Sequence, residues 1–463
     1  MSTTNTNPTF NDFDSLTTPQ VPVANPIENS HETDSLTGPG QFFPKSPNTF
    51  SAAGLRDVEV EGLVLKSLFA LGSASSRELV DLTKLPGVLI RHTLDHLRAE
   101  LLIAHRSAAS MGDFIYQLTE SGSQRAHHLS LKNTYCGAAP VPLHQYETSV
   151  IAQSTSRLPM DLNKLRESFS ELEMSPTLQS NLSQAVNAGR GMFLYGPAGN
   201  GKSTIAERLI SAYPQLLWIP RTLSFGGELI RLFDSAVHEE VRTEDHLSDA
   251  ALEQLDRRWV LIRRPTVIVG AELTLEHLEL QGDHATQAIE APVQLKSNGG
   301  TLVIDDFGRQ RVSPTDILNR WIVPLEKQYD YLTLPNGRQM QVPFVLSVVL
   351  ATNLNPIDIV DDAFLRRIPF KIHIADPDET AFRKIFAGVA DRMGIPNDQE
   401  AVDYLIDKFY RQQSRPFRNC QPRDILFLVD NFCKLHSKPS RLSIKAIDVA
   451  AENYFGDGDI HAG

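Results

Sequence analysis

The segment GPAGNGKS at residues 196–203 constrains this chain more than any other stretch. A short apolar run, Phe193–Tyr195, precedes it, and a helical pattern over Thr204–Ala212 follows it. A strand, GxxxxGK[ST] and a helix in this order form a P-loop, whose glycines allow backbone N–H groups to close around a phosphate. The start of the following helix adds a partial positive charge. The predicted phosphate-binding residues are Gly196, Pro197, Ala198, Gly199, Asn200, Gly201, Lys202, Ser203 and Thr204.

The last residues of this segment have side chains suited to a nucleoside triphosphate. The Lys202 ammonium can reach the β- and γ-phosphates, and the Ser203 hydroxyl is placed to bind Mg²⁺. The sequence therefore predicts ATP and Mg²⁺ as ligands.

A second motif, LVIDD at residues 302–306, is an apolar strand that ends in two carboxylates. A carboxylate at the carboxyl end of a strand beside the P-loop strand can hold Mg²⁺ and its water shell, which predicts Asp305 and Ser203 as the metal residues. The second acid, Asp306, is predicted to orient and deprotonate the attacking water. Aspartate is one methylene shorter than glutamate, so a slow or inactive site that acts as a nucleotide switch stays an alternative.

The pattern along residues 166–375 alternates strand-like apolar runs with helical stretches, which favours a parallel sheet covered on both faces. Residues 376–463 show helical periodicity without strand alternation and are predicted as a helical lid. The predicted fold class is therefore α/β, with a P-loop sheet, flanking helices and a C-terminal α-helical region.

The N-terminal third differs in composition. Residues 1–53 are rich in Asn, Thr, Ser, Pro and Gly and are predicted to be a disordered tail. Residues 54–130 read as three helices and a β-hairpin, an order that resembles a winged helix-turn-helix. Within 56–128, eight Lys/Arg face nine Asp/Glu, which favours protein contact over DNA binding without excluding the latter. Residues 131–165 are irregular and are predicted to be a linker.

The amino-acid composition indicates which cellular compartment and which kinds of partner to expect. The net charge of −12 argues against a protein that coats nucleic acid through its overall charge. The three cysteines contain no CxxC pair, which predicts a reducing compartment. The chain starts without a secretory signal pattern, and its apolar runs are too short to span a bilayer. We therefore expect a cytoplasmic protein with no membrane insertion.

Taken in order, these motifs resemble the AAA+ ATPase superfamily over about residues 166–455. The resemblance implies that Asn353, after the strand Val345–Leu350, is the sensor-1 residue. It implies that Arg366 and Arg367 are arginine-finger candidates, which act on a neighbouring subunit's ATP. Arg423 in the phrase QPRDIL is similar to the sensor-2 arginine of the lid. Together with Lys202, Asp305 and Asp306, these are the predicted catalytic residues, and the implied assembly is a homo-oligomer, most simply a hexamer.

The phrase NGGTLVIDDFGRQ looks like bacterial MoxR-like ATPases, which are described as having chaperone activity. Enhancer-dependent transcription activators share the phrase, but their GAFTGA loop is missing from this sequence. The leading hypothesis is an ATP-hydrolysing ring that remodels or assembles a macromolecular partner. The alternatives are a nucleic-acid motor or regulator that uses the winged helix, and an ATP-dependent assembly switch with little hydrolysis.

Overall fold

A computed structural model describes residues 42–108, 113–155, 160–170, 172–282 and 288–456. Most of the predicted disordered tail, residues 1–41, lies outside the described residues, as does the turn at 109–112 between the two predicted hairpin strands.

The N-terminal region contains the predicted helices and hairpin. Its three strands form an antiparallel sheet in the order β1-β3-β2. Local capping helps to fix α3, because the Ser75 hydroxyl accepts from the Glu78 N–H and the Glu78 carboxylate accepts from the Ser75 N–H. The winged-helix assignment itself stays a prediction. The elements are α1 (Phe50–Ala53), α2 (Asp57–Leu71), β1 (Ser73–Ser75), α3 (Ser76–Thr83), α4 (Gly87–Ala99), β2 (Ile103–Ala108), β3 (Phe114–Leu118) and α5 (Glu120–Ser130).

The stretch 131–165, predicted to be a linker, contains regular structure. It holds β4 (Val141–Pro142), α6 (Leu143–Ala152) and the start of α7 (Leu162–Ser168), and α8 (Pro176–Ala188) follows. Three apolar residues of α6, Leu143, Tyr146 and Val150, are buried against the β-strands that follow the P-loop. Their spacing of three and four residues places them on one helix face, which explains why this segment packs.

The described end of the predicted tail also packs. The Phe42 ring lies 5.0 Å from that of Trp259, the Phe43 ring lies 6.3 Å from that of Trp218, and Lys45 forms a β-bridge with Leu255. Large aromatic side chains bury enough apolar surface to offset the entropy lost by a short segment. Residues 42–53 are therefore part of the fold and do not belong to a disordered tail.

The remaining elements build the part that contains the P-loop segment, an insertion and the predicted lid. The strands are β5 (Met192–Tyr195), β6 (Leu216–Pro220), β7 (Thr222–Phe225), β8 (Glu228–Arg231), β9 (Trp259–Arg263), β10 (Thr266–Val269), β11 (Gln281–Gly282), β12 (Ile289–Glu290), β13 (Thr301–Ile304), β14 (Tyr329–Thr333), β15 (Gln339–Pro343), β16 (Ser347–Thr352) and β17 (Phe370–His373). The helices are α9 (Lys202–Arg208), α10 (Asp249–Glu253), α11 (Val293–Lys296), α12 (Pro314–Arg320), α13 (Ile322–Lys327), α14 (Pro356–Ile359), α15 (Asp362–Arg367), α16 (Glu379–Arg392), α17 (Gln399–Ile406), α18 (Gln421–Leu435) and α19 (Ile444–Phe455).

The central sheet has five parallel strands in the order β10-β13-β16-β5-β17. Alternate residues of β16 enter different clusters of buried side chains, with Val349 on one face and Val348 and Leu350 on the other. Both faces are therefore covered, as a parallel sheet requires. This sheet, its flanking helices and the helical region α16–α19 confirm the predicted α/β fold class.

A β-rich insertion lies between α9 and β10 and is completed by distant segments. Its main sheet has the order β11-β12-β8-β7-β4, and two ribbons, β6–β9 and β14–β15, accompany it. The hairpin β14–β15 buries Leu332, Met340 and Val342 in the same cluster as α6. At its tip, the Arg338 guanidinium lies over the Phe225 ring at 5.8 Å. The hairpin is therefore packed against the insertion along one face and at its tip.

Among the helices of the described segments, none combines the length and the apolar composition that crossing a bilayer requires.

Candidate functional site

The carboxyl ends of the parallel strands bring the predicted site residues to one edge of the sheet. Ile304, Leu350 and Phe193 are in register across β13, β16 and β5, so the residues that follow these strands emerge side by side. The P-loop, the two acids and Asn353 all follow these strands, which is why distant parts of the sequence meet here.

The P-loop turns from β5 into α9 through left-handed backbone at two glycines. Gly199 and Gly201 both have a φ of 82°, a conformation that favours glycine over residues with a Cβ. At Gly196 a Cβ would lie 2.3 Å from the carbonyl oxygen of Ile374, so this position also excludes a side chain. The glycines of the motif are thus required by the path of the chain.

Lys202 is buried at the start of α9 and its ammonium is held at three points. The Nζ atom donates to the carbonyl oxygens of Gly196 and Pro197, each at 3.0 Å, and to Asn353 Oδ1 at 2.7 Å. Burial holds the pKa of Lys202 below its usual value, and the two carboxylates that follow β13 oppose this shift only in part. The structure thus places this cation between the P-loop and the end of β16.

Ser203 and Asp305 meet directly. The Ser203 hydroxyl donates to Asp305 Oδ2 at 2.7 Å, and the Asp305 N–H continues the sheet by donating to the carbonyl oxygen of Val269 at 2.8 Å. A hydroxyl and a carboxylate oxygen are the hard oxygen donors that Mg²⁺ prefers. This pair of residues therefore fits the metal that the sequence predicts.

Asp306 and Asn353 form the opposite side of the site. Asn353 Nδ2 donates to Asp306 Oδ1 at 3.2 Å while its Oδ1 accepts from Lys202, so this amide links the acid to the cation. Asp306 has a φ of 49°, an uncommon conformation outside glycine. Such strain persists only where the surroundings impose it, and it occurs often at functional sites.

Gln310 was not identified from the sequence, although it holds the loop that carries both acids. Its Nε2 donates to the carbonyl oxygen of Asp305 at 3.0 Å and to that of Asp306 at 3.3 Å, and its Oε1 accepts from the Gly308 N–H at 2.9 Å. A glutamine five residues after the first acid has no sequence signal that distinguishes it from a surface residue.

A cavity of about 320 Å³ lies between the P-loop, the residues before α8 and the lid. Arg423 and Thr204 line it, and the Arg423 side chain is 74% exposed and pairs with Asp424 at 3.0 Å. Much of the remaining wall is apolar, which suits the flat face of a nucleotide base. The apolar wall residues are Leu172, Met174, Ile205, Ile374, Ile385 and Val389.

Arg366 and Arg367 lie elsewhere on the surface. They line a separate groove with Arg190 and Pro369. Arg367 Nε donates to Glu326 Oε1 at 2.6 Å, whereas Arg366 is exposed at the end of α15. The structure therefore does not place the two arginines in the cavity next to the P-loop of their own chain.

Comparison with known proteins gives one family match and several distant structural similarities. Residues 378–453 match the model of a Domain of unknown function (DUF8689). No curated protein matches the chain.

The solved structures similar to this chain include RuvB of Thermotoga maritima and NtrX of Brucella abortus. A point mutant of RuvB is 14% identical with a TM-score of 0.38, and the match covers 65% of this chain and 74% of that one. NtrX in complex with ADP is 16% identical with a TM-score of 0.36, and the match covers 61% of this chain and 56% of that one. Because these identities and TM-scores are low, the similarities assign no function to the site residues.

Proposed function

We propose that this protein is an ATPase of the AAA+ type that binds Mg·ATP at the P-loop edge of its central sheet and hydrolyses it. The observation that carries the proposal is the hydrogen bond from the Ser203 hydroxyl to Asp305 Oδ2. Two motifs about a hundred residues apart meet there with the oxygen donors that a magnesium–triphosphate cluster needs.

Each residue of the site has its own proposed role in the reaction. Lys202 contacts the phosphate oxygens, and Ser203 and Asp305 hold the metal, which supplies charge neutralisation of the triphosphate when bound. Asp306 orients the attacking water and accepts its proton. Asn353 positions the Asp306 carboxylate relative to the Lys202 ammonium, because its side-chain amide binds both groups. The position of the Asp306 carboxylate supports this role, because its Oδ1 accepts from Asn353 Nδ2 at 3.2 Å beside Lys202.

Arg366 is the better finger candidate of the two arginines. Arg367 is engaged by Glu326 and lies over the ring of Phe364 at 5.9 Å, so its guanidinium is already committed within the chain. The exposed Arg366 is the residue proposed to act on the site of a neighbouring copy in a ring, most simply a hexamer. Arg423 at the cavity mouth is the proposed lid arginine that responds to the nucleotide.

The proposed work of the ring is the remodelling or assembly of a macromolecular partner in the cytoplasm. The charges on α4 favour a protein partner over nucleic acid, because two of its basic side chains lie beside acids. His96 Nδ1 lies 2.9 Å from Glu61 Oε1, and Arg98 lies 3.8 Å from Asp95. Basic side chains that lie beside acids attract a phosphate backbone less strongly than free ones.

The test is calorimetric titration with ATP and Mg²⁺, followed by an assay of phosphate release. The wild-type chain is expected to bind and hydrolyse ATP, and Lys202→Ala is expected to lose both. Lys164→Ala, which removes an exposed lysine of α7, serves as the control with unchanged binding. Nucleotide binding retained in Lys202→Ala would refute the assignment of the site.

A further inference from the structure

The lid contacts the P-loop through a short segment that precedes α18. We call residues Arg418, Asn419 and Cys420 the lid loop, and Gly199 and Asn200 the P-loop turn. The Cys420 N–H donates to the carbonyl oxygen of Gly199 at 2.9 Å, and Asn419 Nδ2 donates to the carbonyl oxygen of Asn200 at 3.2 Å. Both carbonyl groups of the P-loop turn therefore face the lid loop.

The side chain of Asn200 is the centre of this contact. It belongs to a residue that is only 1% exposed, and both ends of its amide are used. Its Oδ1 accepts from the Asn419 N–H at 3.2 Å, and its Nδ2 donates to Asp376 Oδ1 at 2.6 Å. Asp376 also pairs with the Arg418 guanidinium, so the lid loop and the P-loop turn share one carboxylate.

The hydrogen bonds to the carbonyls of Gly199 and Asn200 fix the direction of the N–H groups of Asn200 and Gly201. In a trans peptide the carbonyl of one residue and the N–H of the next point in opposite directions. Because the carbonyls of Gly199 and Asn200 face the lid loop, the N–H groups of Asn200 and Gly201 point away from it. Within the described part of the chain, neither of these two N–H groups has a protein acceptor. They are the donors with which a P-loop holds phosphate.

We propose that Asn200 is a positioning residue that makes phosphate binding depend on the placement of the lid. When the lid loop is seated, it holds the P-loop turn with its N–H groups directed at phosphate. When the lid moves, these hydrogen bonds are lost and the turn is released. The inference rests on the proposed ATP site and adds a physical link through which lid movement alters nucleotide affinity. Close packing strengthens the link, because a Cβ at Gly199 would lie 2.6 Å from Cys420 Sγ.

The first experiment measures the affinities of Asn200→Ala for ATP and ADP by calorimetry with Mg²⁺ present. Loss of the two side-chain hydrogen bonds is expected to weaken binding of both nucleotides by roughly tenfold. The control is Asn397→Ala, which removes an exposed asparagine of the lid and is expected to leave both affinities unchanged. Equal affinities in wild type and Asn200→Ala would overturn the proposal.

A double-mutant cycle separates positioning from a general loss of stability. Asp376→Ala alone is expected to weaken binding to a similar degree, and Asn200→Ala/Asp376→Ala by less than the sum of the two single losses, because either single variant already removes the hydrogen bond between the two side chains. Asp376→Asn keeps an acceptor and is expected to retain most of the affinity. Fully additive losses would contradict the link and show that the two residues act independently.

A second readout follows the lid loop itself. In the wild type, ADP is expected to slow amide hydrogen exchange in residues 418–420, and in Asn200→Ala this protection is expected to disappear. A merely structural role would lower thermal stability but leave the nucleotide-dependent protection intact, which would also refute the inference. Failure of the wild type to bind any nucleotide would instead refute the proposed function.

Discussion

Removal of one buried guanidinium should loosen the N-terminal segments from the insertion. Arg258 is 1% exposed and uses its donors in three directions. Its Nε and Nη2 bind the carboxylate of Asp256, the shortest contact being 2.7 Å, and its Nη1 donates to the carbonyl oxygens of Ala53 at 2.9 Å and Pro140 at 3.1 Å. The substitution Arg258→Met fills a similar volume and removes all of these contacts.

The expected loss of unfolding free energy follows from the buried carboxylate that the substitution leaves without its cation. Asp256 is 3% exposed, and after the loss of Arg258 its carboxylate keeps no buried cation. Breaking a buried ion pair in this way typically costs about 3–5 kcal/mol. The double variant Arg258→Met/Asp256→Leu removes the orphaned charge, so it should recover a large part of that loss. It should remain less stable than the wild type, because the carbonyls of Ala53 and Pro140 still lack their donor.

The assay is urea unfolding followed by tryptophan fluorescence. This signal is informative because Trp218 and Trp259 lie in one buried cluster, and Trp259 directly follows Arg258 in the chain. The neighbouring Arg257 supplies the control. It forms an exposed ion pair with Asp81, so Arg257→Met should change the unfolding free energy by less than about 1 kcal/mol. The reasoning fails if Arg258→Met is no less stable than Arg257→Met, or if the double variant is as unstable as the single one.

Three other perturbations address the site and the insertion. Asp306→Asn should keep Mg·ATP bound while phosphate release in single-turnover experiments falls by about 10²-fold or more; unchanged release would mean that another group positions the water. Arg366→Ala should lower ATPase activity by about 10³-fold and Arg367→Ala much less, and mixing Arg366→Ala with Lys202→Ala subunits should restore activity if the arginine acts between subunits. Burial lowers the pKa of His238 below its ordinary value of about 6.5, so the unfolded chain binds a proton at a higher pH than the folded chain does. The unfolding free energy should therefore fall as the pH drops below that value, by at most about 1.4 kcal/mol per pH unit, and His238→Gln should reduce this slope in urea titrations.

The proximity of the candidate site residues was largely predictable because the motifs that carry them are local. The glycine spacing of the P-loop and the acids at the end of β13 are each visible within a few residues. The rule that parallel strands share one carboxyl edge then brings Ser203, Asp305 and Asn353 together without further information.

The remaining features depend on partners that no local pattern reveals. β4 pairs in parallel with β7, a strand some eighty residues away, and the Phe42 ring contacts that of Trp259, more than two hundred residues away. A two-residue strand that contains one proline and directly follows another looks like a linker until its partner is known. The contacts of Asn200 with the lid loop were hidden for the same reason, because the motif leaves that position unspecified.

The pairing of β4 with β7 sets a limit on how this protein can be divided. A fragment that starts at residue 166 would lack β4 and α6, and with them the side chains of Val141 and Tyr146 that cover the insertion. Leu223 of β7 would then lie at an uncovered sheet edge, the kind of surface on which chains aggregate. An ATPase segment transferred into another gene would therefore need the preceding thirty or so residues in order to fold without aggregating.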